Sequence, residues 1–201
     1  MTARLIAFEG GEACGKSTQA ARLAERLGAV LTREPGGTAL GERIRALVLD
    51  PSSGAVNPRT EALLMAAARA QHVAEVIAPA LERGETVVTD RFTGSSLAYQ
   101  GFGHGLDVAE LTTLSAWATG GRAANLNVLL TVPDDVAAAR LPRPTDRMER
   151  LGKKFHRRVA RGFVALAEAD PAHWIVVDGE GSIDDVEARV NEAYDAWSAV
   201  Q

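Results

Sequence analysis

The chain has 201 residues, 46% of them hydrophobic, which suffices for one domain with a sizeable core and leaves two independent domains cramped. With 22 Lys and Arg against 26 Asp and Glu the formal charge is -4, so the molecule as a whole has no basic excess for holding nucleic acid. A single cysteine, Cys14, excludes an intrachain disulfide and fits a reducing cytoplasm, the compartment expected here.

The opening MTARLIAFEGG enters a strand-like apolar run at once, without the longer hydrophobic region and small-residue cleavage site of a secretory signal. Arg4 to Glu9 is the first predicted strand. Gly10 to Ser17, GGEACGKS, follows it, fits the pattern GxxxxGK[ST], and opens a predicted helix that runs through Leu23 and Leu27. Gly10 and Gly15 let the backbone bend so that N–H groups face phosphate oxygens, and the helix N-terminus adds a positive dipole. Lys16 would set a point charge against the β- and γ-phosphates, and the Ser17 hydroxyl would help hold Mg²⁺. Cys14 occupies a freely variable position of the pattern, where a small residue fills space.

The motif points to a nucleoside triphosphate, ATP in the simplest reading, bound along Gly10, Gly11, Glu12, Ala13, Cys14, Gly15, Lys16, Ser17 and Thr18. It leaves the second substrate open. The sequence lacks an NKxD element for guanine and the LSGGQ element of transporter ATPases, and 201 residues is small for a motor, so a small kinase is favoured.

Ala29 to Arg33 is the second predicted strand. The longest apolar stretch, Ala62 to Leu81, is interrupted by Arg69, Gln71, His72 and Glu75. Charges at bilayer depth cost roughly 2.5 to 3.5 kcal/mol each, so this reads as a core helix and not a membrane span. The third strand, Glu85 to Asp90, ends in VVTDRFTGSSLAYQG, which puts Asp90 and Arg91 together at the carboxyl edge of the sheet. An acidic residue there orients Mg²⁺ or its waters, and the adjacent Arg holds a phosphate bidentately.

Asn127 to Val132 is the fourth predicted strand and Trp174 to Asp178 the fifth. Between them, Arg140 to Arg161 holds nine cations against Asp146 and Glu149, about +7 in a chain that is net negative. From Arg147 the cations Arg150, Lys154, Arg157 and Arg161 recur on one helical face, and Leu151, Phe155, Val159, Phe163 and Leu166 form another stripe. Pro142 and Pro144 should interrupt the helical path, making Arg140 to Asp146 a mobile loop hinged before that helix, and Arg140, Arg143 and Arg147 read as the cations of a phosphate-closing lid at about 140–150.

No internal repeat or linker divides the chain, so residues 1–201 read as one domain. Alternating strands and helices, with strand runs apolar throughout, predict a doubly wound α/β sheet whose ligands sit at the carboxyl ends of the strands. Transfer to an acceptor phosphate, largely dianionic at neutral pH, needs no strong base. It needs anions held in line and neutralised by Mg²⁺, Lys and Arg. Two other readings stay open from the residues alone: a kinase for another small acceptor such as a deoxynucleoside or shikimate, and a nucleotide-binding regulatory module.

Taken together, FEGGEACGKSTQ, TREPGGTALGERIRALVL, TEALLMAAARAQHV, DRFTGSSLAYQG, the DRME of Asp146 to Glu149, and FHRRVARGF resemble the thymidylate kinase family over nearly the whole chain. The resemblance implies a P-loop NTPase fold with a five-stranded parallel sheet, helices on both faces and a short lid. It also implies a homodimer, Mg²⁺-ATP as donor and dTMP as acceptor, and no nucleic-acid or membrane partner. By position, Glu12 matches the carboxylate near the acceptor sugar's 3′-hydroxyl, Arg45 and Arg91 the arginines on the acceptor phosphate, and Arg69 the reader of the thymine edge. Ser95, Ser96, Tyr99 and Gln100 match the base and sugar pocket, and Arg33, Glu34 and Pro35 the loop that shapes the acceptor site. Met65 stands where the family usually has a phenylalanine stacked on the base, and its thioether offers sulfur–aromatic contact instead. The P-loop has no arginine after its acidic residue, as in the bacterial branch that takes a catalytic arginine from the lid. Arg140 or Arg143 would fill that role, with Lys16, Arg91 and Glu12 completing the catalytic set.

Overall fold

The computed structural model describes residues 3–140, 143 and 146–200. Five strands, β1 (Leu5–Glu9), β2 (Val30–Arg33), β3 (Val87–Asp90), β4 (Leu126–Thr131) and β5 (Trp174–Asp178), pair in the order β2-β3-β1-β4-β5, all parallel. The expected strands are all present, with ends shifted by one or two residues. Every residue of β1 is buried, and its side chains alternate between faces. Ile6 and Phe8 pack under α1 (Lys16–Leu27) and the C-terminal helix at Ile183–Ser198, against Leu23, Val190 and Trp197. Leu5 and Ala7 pack on the opposite face against Val73, Ile77 and Ala80. At the edge the cover thins: Val176 of β5 is 58% exposed.

Between β2 and β4 lie α2 (Ala39–Leu49), α3 (Pro58–His72), α4 (Ala78–Glu82), the short α5 (Thr93–Ser96) and α6 (Val108–Thr119). The predicted core helix at Ala62 to Leu81 is thus two α-segments joined by a π turn at Val73–Ile77. Pro79 lacks the N–H that would continue the α ladder, and the ladder widens just ahead of it. A second π segment, Leu97–Gly103, continues α5 and turns Tyr99 and Gln100 inward.

After β4 come α7 (Asp134–Arg140), α8 (Lys153–Ala169) and, beyond β5, α9 (Ile183–Ser198). The apolar stripe of α8 behaves as expected, with Phe155, Val159 and Phe163 buried and Lys154, Arg157 and Arg161 exposed. Its close approach to the Leu97–Gly103 segment depends on Gly162, where a Cβ would stand 2.6 Å from the Phe102 ring. The cationic face differs from expectation at its start. The helix begins at Lys153, and Arg147 is buried, donating Nε to the Val48 carbonyl at 2.7 Å and Nη2 to the Glu61 carboxylate. A lid cation facing phosphate is therefore the wrong description of Arg147; the buried carboxylate of Glu61 draws it inward. Pro142 and Pro144, on which the hinge expectation rests, lie outside the described residues, as do Leu141 and Thr145.

Candidate active site

Parallel register brings the ends of three strands to one edge. Phe8 and Arg33 both pair with Asp90, so the loops after β1, β2 and β3 open side by side. The Gly10–Ser17 loop leaves β1 under tight constraint: Gly10 has φ 142° and a Cβ there would lie 2.4 Å from the Leu130 carbonyl oxygen. Gly15 caps α1 with φ 95°, a region glycine enters without penalty. Lys16 starts the helix, is buried, and donates Nζ to the Gly11 carbonyl at 2.5 Å.

Ser17 donates its hydroxyl to Asp90 Oδ2, while Asp90 Oδ1 is buried without a partner. An open carboxylate oxygen beside a hydroxyl is the donor set a hard divalent cation takes, so Ser17 and Asp90 fit Mg²⁺. Among the described residues no cluster of three or more His, Cys, Asp or Glu could hold a metal alone, so phosphate oxygens would complete the shell.

Arg91 follows with φ 75°, a left-handed conformation that is uncommon for a residue with a Cβ and costs of order 1 kcal/mol or more. Its guanidinium donates to the Gly10 carbonyl at 2.9 Å, to Glu12 Oε1 at 2.8 Å and to Ser95 Oγ and Tyr99 OH at 3.2 Å each. Burial works against the Arg91 charge, but Glu12, Tyr99, Asp90 and Glu9 outweigh it and raise its pKa well above the ordinary value. Burial likewise pushes the Glu12 carboxyl up, and Arg91, Lys16 and the Tyr99 hydroxyl overcome it, leaving Glu12 at about 2. Arg45, by contrast, is held below its ordinary value by burial and by the neighbouring Arg33. Cations crowded in this way are ready for an anion.

Two hollows adjoin here. One, about 360 Å³, is lined by Ala13, Gly15, Lys16, Ser17, Thr18, Asp90 and Arg140, with Arg33 at its rim. The other, about 90 Å³, is lined by Pro35, Met65, Arg69, Ser95, Ser96, Tyr99 and Gln100. Glu12, Glu34, Arg45 and Arg91 line both and form the wall between them. Gly11 and Cys14 face a separate, larger groove toward α7 and α8. Arg140 lines the first hollow while donating to the Gly179 carbonyl at 3.0 Å, whereas Arg143 lines neither hollow.

The sequence model of the thymidylate kinase family matches residues 8–190. The chain belongs to the thymidylate kinase family. It is 49% identical to the thymidylate kinase of Desulforudis audaxviator, covering 90% of this chain and 85% of that one, and 47% identical to the Deinococcus radiodurans thymidylate kinase, covering 97% and 95%. The crystal structure of thymidylate kinase from Ehrlichia chaffeensis superposes with a TM-score of 0.80 at 28% identity, over 96% of this chain and all of that one. The architecture is thus that of a thymidylate kinase on the P-loop NTPase fold.

Glu9, Glu61 and His72, buried near the hollows, were not foreseen as part of a thymidylate kinase site. Glu34, expected at the substrate, has both oxygens engaged by protein: Oε2 accepts from Arg69 Nε at 2.7 Å and Oε1 meets His72 Nδ1 at 2.9 Å. His72 in turn contacts Thr32 Oγ1 at 2.6 Å. Glu9 is fully buried and accepts from the backbone N–H groups of Phe92 and Ser95 and from the Ser95 hydroxyl, which stiffens the turn bearing Arg91. Burial raises its pKa despite those bonds. Glu61 sits beneath Gln100 and His104. A signal for part of this set was present: Glu61, Met65, Arg69 and His72 recur at steps of four, four and three, a polar-bearing stripe on one face of α3.

Proposed function

We propose that this chain transfers the γ-phosphoryl group of ATP to dTMP, giving dTDP for dTTP synthesis, with the triphosphate on the Gly10–Ser17 loop and the acceptor in the hollow lined by Arg69 and Gln100. The observation that carries this reading is the shared wall: Glu12, Arg45 and Arg91 border both hollows, so two anions bound there would meet across them. Ten acceptor-side residues expected from sequence (Glu34, Pro35, Arg45, Met65, Arg69, Arg91, Ser95, Ser96, Tyr99 and Gln100) all line the smaller hollow, which supports the same assignment.

In this mechanism the loop amides and Lys16 bind and orient the donor phosphates, and Arg45 and Arg91 hold the acceptor phosphate. Ser17 and Asp90 would hold Mg²⁺ together with the nucleotide, and the ion would supply charge neutralisation on the phosphates. Glu12, fixed as a carboxylate by Arg91 and Lys16, accepts a hydrogen bond from the acceptor sugar and excludes acceptors with no hydroxyl there. Arg140 or Arg143, from a lid at about 140–150 of one 1–201 domain, brings the last cation to the transferring group.

No helix among the described residues is long and apolar enough to cross a membrane, which is compatible with a cytoplasmic enzyme. Trp117 on α6, 82% exposed, and Leu63 on α3, 58% exposed, support the expected homodimer through an apolar surface; sedimentation at equilibrium tests it. A coupled assay over dTMP, dUMP, dCMP and dAMP tests the acceptor. The highest kcat/KM belongs to dTMP, and equal or greater turnover of another monophosphate overturns the assignment.

A further inference from the structure

Behind Gln100 lies a carboxylate that no part of the transfer reaction requires. Glu61 has no solvent exposure, and three polar side chains meet it. Its Oε1 accepts from Gln100 Nε2 at 2.8 Å and lies 3.1 Å from His104 Nε2, and its Oε2 accepts from Arg147 Nη2. Arg147 is itself anchored, by Nε to the Val48 carbonyl and by its backbone N–H to the Leu49 carbonyl at 2.8 Å. Burial pushes the Glu61 carboxyl up, but His104, Arg147 and Gln100 together keep it below its ordinary value, so it is ionised at neutral pH.

An ionised carboxylate only accepts hydrogen bonds, and a glutamine amide carries a donor edge and an acceptor edge. Facing Glu61, Gln100 must present its NH₂, which leaves the carbonyl oxygen as the amide atom available to the hollow that Gln100 lines. Arg69, in the same hollow, has Nε on Glu34, Nη1 on Ser96 Oγ and Nη2 on the Phe92 carbonyl, and each Nη keeps a second N–H. The hollow therefore offers a donor beside an acceptor. A base edge with a ring N–H next to a carbonyl, as in thymine or uracil, matches that pattern, and cytosine, with a bare ring nitrogen next to an amino group, opposes it at both positions.

We propose that Glu61 is a positioning residue for acceptor selection: its buried carboxylate, clamped by Arg147, locks the Gln100 amide with its carbonyl toward the base, admitting thymine-type edges and rejecting cytosine. This rests on the acceptor reading above. Replacing a locked acceptor by an amide free to turn over removes the penalty against the wrong edge, and unmatched buried polar groups are the strongest source of such discrimination.

The test is the ratio of kcat/KM for dTMP over dCMP in Glu61→Gln, where a neutral amide accepts or donates. The ratio falls about 10- to 100-fold, through a higher KM for dTMP, with the KM for ATP unchanged. Glu61→Asp, which retains the charge, keeps most of the ratio. Because Glu61→Gln strands the buried Arg147 charge and risks misfolding, Glu61→Met/Arg147→Met removes both partners and gives the same loss of ratio. In a Gln100→Leu background, adding Glu61→Gln lowers the ratio no further. Equal losses on both acceptors with the ratio intact, or a second full loss in the Gln100→Leu background, overturn the proposal. If the wild-type enzyme itself fails to prefer dTMP, the acceptor reading falls first, and that result is separate from the variants.

Discussion

Arg91 Nη2 and Glu12 Oε1 lie 2.8 Å apart, and the Tyr99 hydroxyl donates to that same carboxylate oxygen at 2.5 Å. The Arg91 guanidinium also stands 5.0 Å over the Tyr99 ring. A residue of the Gly10–Ser17 loop, one from the end of β3 and one from the π segment after α5 are thereby joined by protein contacts alone. Preorganised charge of this kind needs no rearrangement during reaction, which is where enzymes gain most of their electrostatic advantage.

The Glu12 carboxyl lies at about 2 against an ordinary 4.5, so its contribution to stability is complete above the unfolded-state value and is lost as pH falls through the folded one. The shift corresponds to at most roughly 3 kcal/mol. Glu9 acts in the opposite sense, since its raised value favours the protonated form in the fold. In urea unfolding, the stability lost by Glu12→Gln should be largest near neutral pH and shrink between about pH 4.5 and about pH 2. A loss that is the same at every pH rules out the Arg91 pairing as its source.

Lys16→Ala removes a buried ammonium that donates to the Gly11 carbonyl. We expect kcat to fall by about 100-fold or more, with a modest change in thermal midpoint. Steady-state kinetics and calorimetry on one preparation separate the two effects, and near-normal turnover removes the loop from the mechanism.

Arg140 and Arg143 are both exposed, but Arg140 borders the hollow beside Lys16 and is hydrogen-bonded to the Gly179 carbonyl, whereas Arg143 borders neither hollow. Arg140→Ala and Arg143→Ala, measured singly, should differ in kcat by about 10-fold or more, because one arginine reaches the transferring group. Two negligible losses place the catalytic cation elsewhere.

Gly162 tests the fold independently of chemistry. A Cβ there would come within 2.6 to 2.7 Å of the Phe102 ring, on the helix that backs Tyr99. Gly162→Ala should destabilise by about 1 to 3 kcal/mol in urea titration, in spite of the better helix propensity of alanine. A stabilised variant would show that α8 and the Leu97–Gly103 segment have room to part.

The sequence alone determined what depends on local spacing. The Gly10–Ser17 pattern between strand and helix, the apolar strand runs and the alternation of elements are short-range features, and each of the five strands appears within two residues of where they indicate. The ten residues expected on the acceptor side were legible because the family's motifs carry them in order, and the structure gathers all ten around one hollow. Tertiary structure decided which polar groups face the hollow and which stand behind it. Arg147 reads as one more cation in a basic run, yet it turns toward a buried partner 86 residues away in sequence, and Glu34, which borders both hollows, has its two carboxylate oxygens held by Arg69 and His72. A buried charge must find its counterpart wherever the fold places one, because desolvation leaves it no alternative, and that pairing has no period or spacing along the chain.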